Sequence, residues 1–304
     1  MPRDNPAPTP KVGSVSALAA MFSSQVRDFE DDYHVAALPV PDGSLPRSDR
    51  TEPVVNLTGL LKAWLLFGPG GAGKTVLARW LGGELASRGV LDTTMLAALD
   101  PTNRSLAQFY ARVMQPADND PAKVAPFVRK ALAALAQHRV NGVIDFGGGD
   151  TSWARVIDGA PQLASTMEAD GVVPIAAYVL TPRLDDLTAL ATFEARGFQP
   201  RATALMLNLA KAESPSAFDG LRRQPVYRAA LERGAVEVWM PALSQTVALA
   251  IERARVQFHQ ARDGEADTGR KPAPISMFER VEVREWMTRM SSEFAQLDTW
   301  LPWA

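Results

Sequence analysis

Residues 62–75 constrain this chain more than any other stretch. Ala63 to Phe67 are apolar and read as a buried strand, Gly68-x-x-x-x-Gly73-Lys74-Thr75 follows without a spacer, and Val76 to Leu81 open a helix. Strand, glycine-rich turn and helix in this order are the setting of a phosphate-binding P-loop. Glycines let backbone N–H groups converge on phosphate oxygens where a Cβ would block the approach. The helix start adds the positive end of its dipole. Lys74 has the reach for β- and γ-phosphates, and the Thr75 hydroxyl suits a Mg²⁺ ligand. The expected nucleotide-binding positions are Gly68, Gly70, Gly71, Ala72, Gly73, Lys74, Thr75 and Val76. Gly68-x-Gly70-x-x-Gly73 also fits a dinucleotide fingerprint. That pattern does not call for Lys-Thr after its last glycine. It wants an acid about 20 residues on, and Asp100, the nearest acid at a strand end, comes later.

The 304 residues leave room for one large α/β domain or two smaller ones. A net charge of −2 gives no global attraction to nucleic acid or anionic membrane. The absence of cysteine excludes disulfides and thiolate metal sites. No apolar run approaches the ~18 residues of a membrane span. Val15–Phe22 is short and apolar, but Asp4 and the upstream prolines argue against an export signal. A cytoplasmic protein is expected, because nucleotide hydrolysis belongs where ATP is.

Four segments follow from composition and periodicity. Residues 1–55 form an N-terminal extension: 1–13 read as disordered, Ser14 caps a helix reaching Phe29, and Pro39, Pro41, Pro46 and Pro53 mark a draped loop. Residues 56–262 form the nucleotide-binding domain, 263–275 a linker and 276–304 a C-terminal helix. Strands are expected at 62–67, 94–99, 140–145, 172–180, 203–209 and 235–240. Helices are expected at 74–88, 121–138, 151–169, 184–196, 215–233 and 242–262. Strand runs such as Val172 to Leu180 are apolar without alternation, as in strands covered on both faces. The expected fold is α/β, a mainly parallel sheet flanked by helices on both faces.

Ligands in such sheets bind at the C-terminal strand ends. Asp100 ends the second strand and Asp145 the third, the latter followed by Phe146-Gly147-Gly148-Gly149-Asp150. A carboxylate at such a position can hold Mg²⁺ beside Thr75, and Gly148 puts bare backbone where a γ-phosphate is sensed. For both acids a turn or helix-cap role is the alternative. Asp145-Phe146-Gly147 spells a kinase Mg²⁺ motif, but no kinase glycine loop or His-Arg-Asp loop accompanies it. Asn208 ends the fifth strand, with an amide suited to a purine edge or to a turn. His34, His138 and His259 are far apart and read as surface or packing residues.

With these residues in place the chain resembles the ParA/MinD family of P-loop ATPases over residues 60–260. Gly68 to Thr75 resembles the family loop, Leu99-Asp100-Pro101-Thr102-Asn103 its switch I, Val143-Ile144-Asp145 its switch II, and Tyr178 to Pro182 with Asp185, Asp186 and Leu187 the strand and loop beyond. The resemblance implies that Lys74, Asp100 and Asp145 are catalytic, with Asp100 positioning the attacking water. It implies Mg²⁺ held by Thr75 and Asp145, and adenine read at Asn208 and Pro241. ATP and Mg²⁺ are the implied cofactors, and a protein partner or homodimer the implied assembly. The family lysine that crosses to a partner's phosphates is replaced by Pro69. Arg104 is the alternative cation for a trans contact.

Val283, Trp286, Met287, Met290, Phe294, Leu297 and Leu301 recur at helical spacing. MinD-like relatives end in a membrane-binding helix. Here residues 277–301 carry five acids against three arginines, so packing on the core or on a partner is expected rather than lipid. The functional expectation is a Mg²⁺-dependent ATP-hydrolysing switch, which the resemblance connects with plasmid partition or conjugative transfer. The alternatives are a small-molecule kinase or ligase, in which Asp100 or Asp150 binds the acceptor, and a scaffold that binds nucleotide without hydrolysis.

Overall fold

The structure is a computed structural model that describes residues 55–100, 106–148, 151–264 and 275–304. The expected N-terminal extension up to residue 54, the switch I residues 101–105 with Arg104, Asp150, and most of the expected linker lie outside the described residues.

Seven strands form one sheet in the order β3-β2-β4-β1-β5-β6-β7. They are β1 (Leu61–Phe67), β2 (Thr94–Ala98), β3 (Val113–Met114), β4 (Asn141–Asp145), β5 (Val172–Leu180), β6 (Ala202–Asn208) and β7 (Val236–Met240). Every pairing is parallel. Ten α-helices are described: α1 (Lys74–Ser87), α2 (Pro121–His138), α3 (Ser152–Asp158), α4 (Leu163–Ala169), α5 (Thr188–Ala195), α6 (Asp219–Arg222), α7 (Pro225–Glu232), α8 (Gln245–Ala254), α9 (Phe258–Asp263) and α10 (Met277–Phe294). The fold is the expected α/β sandwich.

Alternation along the strands divides the core. Trp64 and Leu66 of β1 face α1, α8, α9 and α10, packing with Trp80, Ile251, Phe258 and Phe294 in one continuous cluster. Phe67 points to the opposite face, where its ring meets Phe146, Trp153, Tyr178, Phe193 and Phe198 at centroid separations of 4.8–6.4 Å. Both sheet faces are therefore covered, which is why β5 carries nine buried residues without polar alternation.

The differences from expectation lie where short-range breakers act. The helix expected over 151–169 is two helices, because Gly159 ends α3 and Pro161 cannot supply the next backbone N–H. The 215–233 segment starts as a 3-10 turn and restarts at Pro225, which occupies the first turn of α7. The 242–262 segment breaks where Arg255 adopts φ 53°, a left-handed cap on α8. Strand β3 was not expected: two residues show no period, and only pairing with Leu96 and Ala97 makes them a strand.

The tail helix α10 packs into the α1 face of the sheet through Val283, Trp286, Met290 and Phe294. The residues after it run beneath the N-terminal ends of the central strands. Trp64 donates its indole N–H to the Trp300 carbonyl at 2.8 Å, Asn141 donates to Pro302 at 2.7 Å, and Lys62 Nζ to Ala304 at 2.6 Å. No described helix is long and apolar enough to cross a membrane.

Candidate nucleotide site

A cleft of about 870 Å³ opens at the C-terminal ends of the strands. Gly70, Gly71 and Gly73 to Val76 supply its wall after β1, Asp100 after β2 and Asp145 to Gly148 after β4. Asn208, Ala210 and Lys211 follow β6, and Pro241 and Leu243 follow β7. β1 lies between β4 and β5, so the chain leaves it in one direction and returns on the other side. A ligand is received at such a reversal.

The glycine turn has the geometry that its sequence demanded. Gly73 caps α1 at φ 109°, and a Cβ there would stand 2.4 Å from Asn208 Nδ2. Lys74 is buried, and its ammonium donates to the carbonyls of Gly68 and Pro69 at 2.8 and 2.9 Å. Burial lowers its pKa, opposed by the charges of Asp145, Asp100 and Asp186. Asp186 itself is buried in the 3-10 turn Leu184–Leu187 that follows β5, and it accepts the Thr181 N–H at 2.6 Å.

Register places Asp145 opposite Leu66 of β1 and Ala98 of β2, directly beneath the glycine turn. Thr75 Oγ1 donates to Asp145 Oδ2 at 2.7 Å. The other carboxylate oxygen, Oδ1, is buried and has no hydrogen-bond partner among the described residues. Burial pushes the Asp145 pKa up to about 6, against the Thr75 hydrogen bond and the nearby Lys74 charge. A hydroxyl and a carboxylate side by side, one oxygen unsatisfied, beside an ammonium, fit a Mg²⁺ that completes its shell from phosphate and water. Thr75 and Asp145 are the residues that would hold it.

Gly148 approaches the glycine turn so closely that a Cβ on it would lie 2.3 Å from Gly70 Cα. The loop after β4 thus touches the phosphate loop backbone to backbone. Asn208 is tied from the other side. Its Nδ2 donates to the Ala72 carbonyl at 2.6 Å and its Oδ1 accepts the Ala210 N–H at 3.0 Å. The side chain expected to read a base also braces the turn that would bind phosphate.

Two lining residues had no motif to announce them. Arg79 on α1 is buried between the rings of Phe109 and Phe258, its guanidinium carbon 3.5 and 4.6 Å from the centroids. Its spacing from Val76 puts both on one helix face, which was the available signal. Trp286 of α10 reaches the same cleft; its place in the apolar stripe marked it only as a core residue.

The strand, the glycine turn with its buried lysine, and the threonine–aspartate pair define a P-loop nucleotide-binding fold of the α/β class. No protein-family model matches the chain, and neither does any curated protein. Among solved structures, chloroplast FtsY from Physcomitrella patens is similar at 16% identity over 65% of this chain and 64% of that one, with a TM-score of 0.41. FtsY from Mycoplasma mycoides is similar at 14% identity over 63% and 64%, with a TM-score of 0.37. The signal recognition particle receptor FtsY from Elizabethkingia anophelis is similar at 14% identity over 66% and 62%, with a TM-score of 0.38. This chain spans just under two thirds of the length of each.

Proposed function

We propose that this protein is a Mg²⁺-dependent switch that binds and hydrolyses ATP. The observation that carries the reading is the Thr75–Asp145 hydrogen bond beside Lys74, with the second Asp145 oxygen buried and without a partner among the described residues. A bound Mg²⁺ would supply charge neutralisation of the phosphates. Lys74, now donating to the Gly68 and Pro69 carbonyls, would instead donate to β- and γ-oxygens. Asp100, at the cleft wall beyond β2, is proposed to orient the attacking water, and Gly148 to register the γ-phosphate through its backbone. Adenine rather than guanine is proposed at the far end of the cleft. Asn208 and Pro241 line it there, and the choice of adenine rests on the ParA/MinD resemblance, which assigns the base to these two residues.

A role in positioning cargo, as in plasmid partition or conjugative transfer, rests on the ParA/MinD resemblance of the sequence. A protein partner or a homodimer belongs to that reading, with Pro69 excluding a dimer crossed by a loop lysine. A second reading, a small-molecule kinase or ligase, draws on Asp100, which lines the cleft and would bind the acceptor.

The test is titration of ATP with Mg²⁺ onto the wild type and Lys74→Ala. Loss of about tenfold or more in affinity is expected from removing the one cation that the turn presents. A folded variant with unchanged affinity would refute the assignment. Turnover that needs an added acceptor would favour the second reading.

A further inference from the structure

Two side chains of α10, one helical turn apart, hold the segment that joins β7 to α8. Trp286 donates its indole N–H to the Pro241 carbonyl at 2.9 Å. Glu282 Oε1 accepts the Ser244 N–H at 2.8 Å. Ser244 is the N-cap of α8, its hydroxyl accepting the Val247 N–H. Residues 241–244 are thus tied to the tail helix at both ends. Pro241 and Leu243 line the cleft, and Trp286 lines it directly. The indole is fixed in turn by Phe258, 4.6 Å away between ring centroids.

This end of the cleft differs in chemistry from the other. The glycine turn offers N–H groups and an ammonium, whereas Met240, Pro241, Leu243, Ala248, Phe258 and Trp286 add apolar surface to a lining that also carries Arg79, Gln245 and Glu252. A flat heteroaromatic ring suits such a lobe. A short segment with no regular structure of its own keeps its shape only if something outside it supplies hydrogen bonds. Here α10 supplies them.

We propose that Trp286 and Glu282 are positioning residues that make the tail helix part of the nucleotide site: by fixing 241–244 they shape the lobe that takes the base. The inference rests on the P-loop reading and extends it to the base end of the ligand. It also gives the tail a lever on affinity, because a partner that draws α10 away would loosen the base while leaving the phosphate turn intact.

The experiment compares two probes, ATP and inorganic tripolyphosphate, each with Mg²⁺, by calorimetric titration. The proteins are the full-length wild type, Glu282→Ala, Trp286→Phe and Lys74→Ala. Glu282 is half-buried, so its variant removes the hydrogen bond with little loss of core packing; Trp286→Phe keeps a ring and removes the donor. Each is expected to weaken ATP by about 3- to 10-fold, the worth of one hydrogen bond. Tripolyphosphate affinity should stay within about twofold, since that ligand has no base to place. Lys74→Ala should weaken both probes. Equal losses for both probes in the Glu282 and Trp286 variants would indicate a general structural role and overturn the proposal. Unchanged ATP affinity in both variants would overturn it as well. A wild type that binds tripolyphosphate as tightly as ATP would show that the lobe takes no base. A wild type that binds neither probe, or a Lys74→Ala protein that keeps both, would instead remove the P-loop reading beneath it.

Discussion

Asp145→Asn should stabilise the protein in the absence of divalent metal while abolishing turnover in its presence. The carboxylate is 7% exposed, and burial raises its pKa to about 6 from the ordinary 3.8. Below both values the group is protonated folded and unfolded, and it contributes nothing. As pH rises from about 4 to 6 the unfolded chain ionises first, so the folded state loses ground; above about 6 the penalty is fully present. A rise from 3.8 to about 6 corresponds to ~3 kcal/mol. Asparagine cannot ionise, and its oxygen can still accept from Thr75. Its amide would face the position of Oδ1, which has no partner among the described residues, and a buried donor without an acceptor costs ~1–2 kcal/mol. The net gain at pH 8 is then about 1–2 kcal/mol, a rise of roughly 2–8 °C in melting temperature for a domain of this size. The assay is thermal denaturation in EDTA at pH 8 and at pH 5, with ATPase turnover measured separately with Mg²⁺. The difference between variant and wild type should shrink at pH 5. A wild type more stable than Asp145→Asn at pH 8 without metal would refute the reasoning. It would mean that Lys74 and Thr75 outweigh the cost of burying the charge. Such a trade of stability for a charge held ready for a ligand is common at functional sites.

Gly148→Ala would set a methyl carbon 2.3 Å from Gly70 Cα. Since the clash is with backbone, the loop after β4 must retreat, and ATP turnover should fall by about tenfold or more with the melting temperature little changed; turnover at the wild-type rate would mean that this approach has no part in the chemistry. Asn208→Ala removes the donor to the buried Ala72 carbonyl. It should cost ~1–3 kcal/mol in urea denaturation and weaken tripolyphosphate as well as ATP, whereas a pure base reader would affect ATP alone.

What was legible in the sequence was local. Gly68 to Thr75 dictated its own turn, because a φ of 109° at Gly73 lies beyond what a residue with a Cβ adopts without strain, and a lysine and a hydroxyl in that spacing suit phosphate and metal. The strand from Val172 to Leu180 showed its double burial through nine residues with no polar alternation. Helix α2 carried its own start in Asp120 and Pro121, the aspartate capping Ala122 N–H at 2.9 Å. Those signals act within a few residues, and neighbouring side chains and dihedrals decide them.

The tertiary structure decided which strand ends meet and what closes the site. The period of β4 leaves its neighbours unspecified, and it is the insertion of β4 between β2 and β1 that brings Asp145 under Thr75, 70 residues away in sequence. The amide of Asn208 is equally suited to a base or to a carbonyl, and only the approach of the glycine turn assigns it to Ala72. The stripe of Val283, Trp286, Met290 and Phe294 required an apolar partner without naming one. That partner is the face of the sheet carrying Trp64, together with Trp80 of α1, and the choice puts Trp286 in the cleft. Apolar burial is non-directional, so a sequence can state that a face must be covered but leaves to the assembled core the question of what covers it.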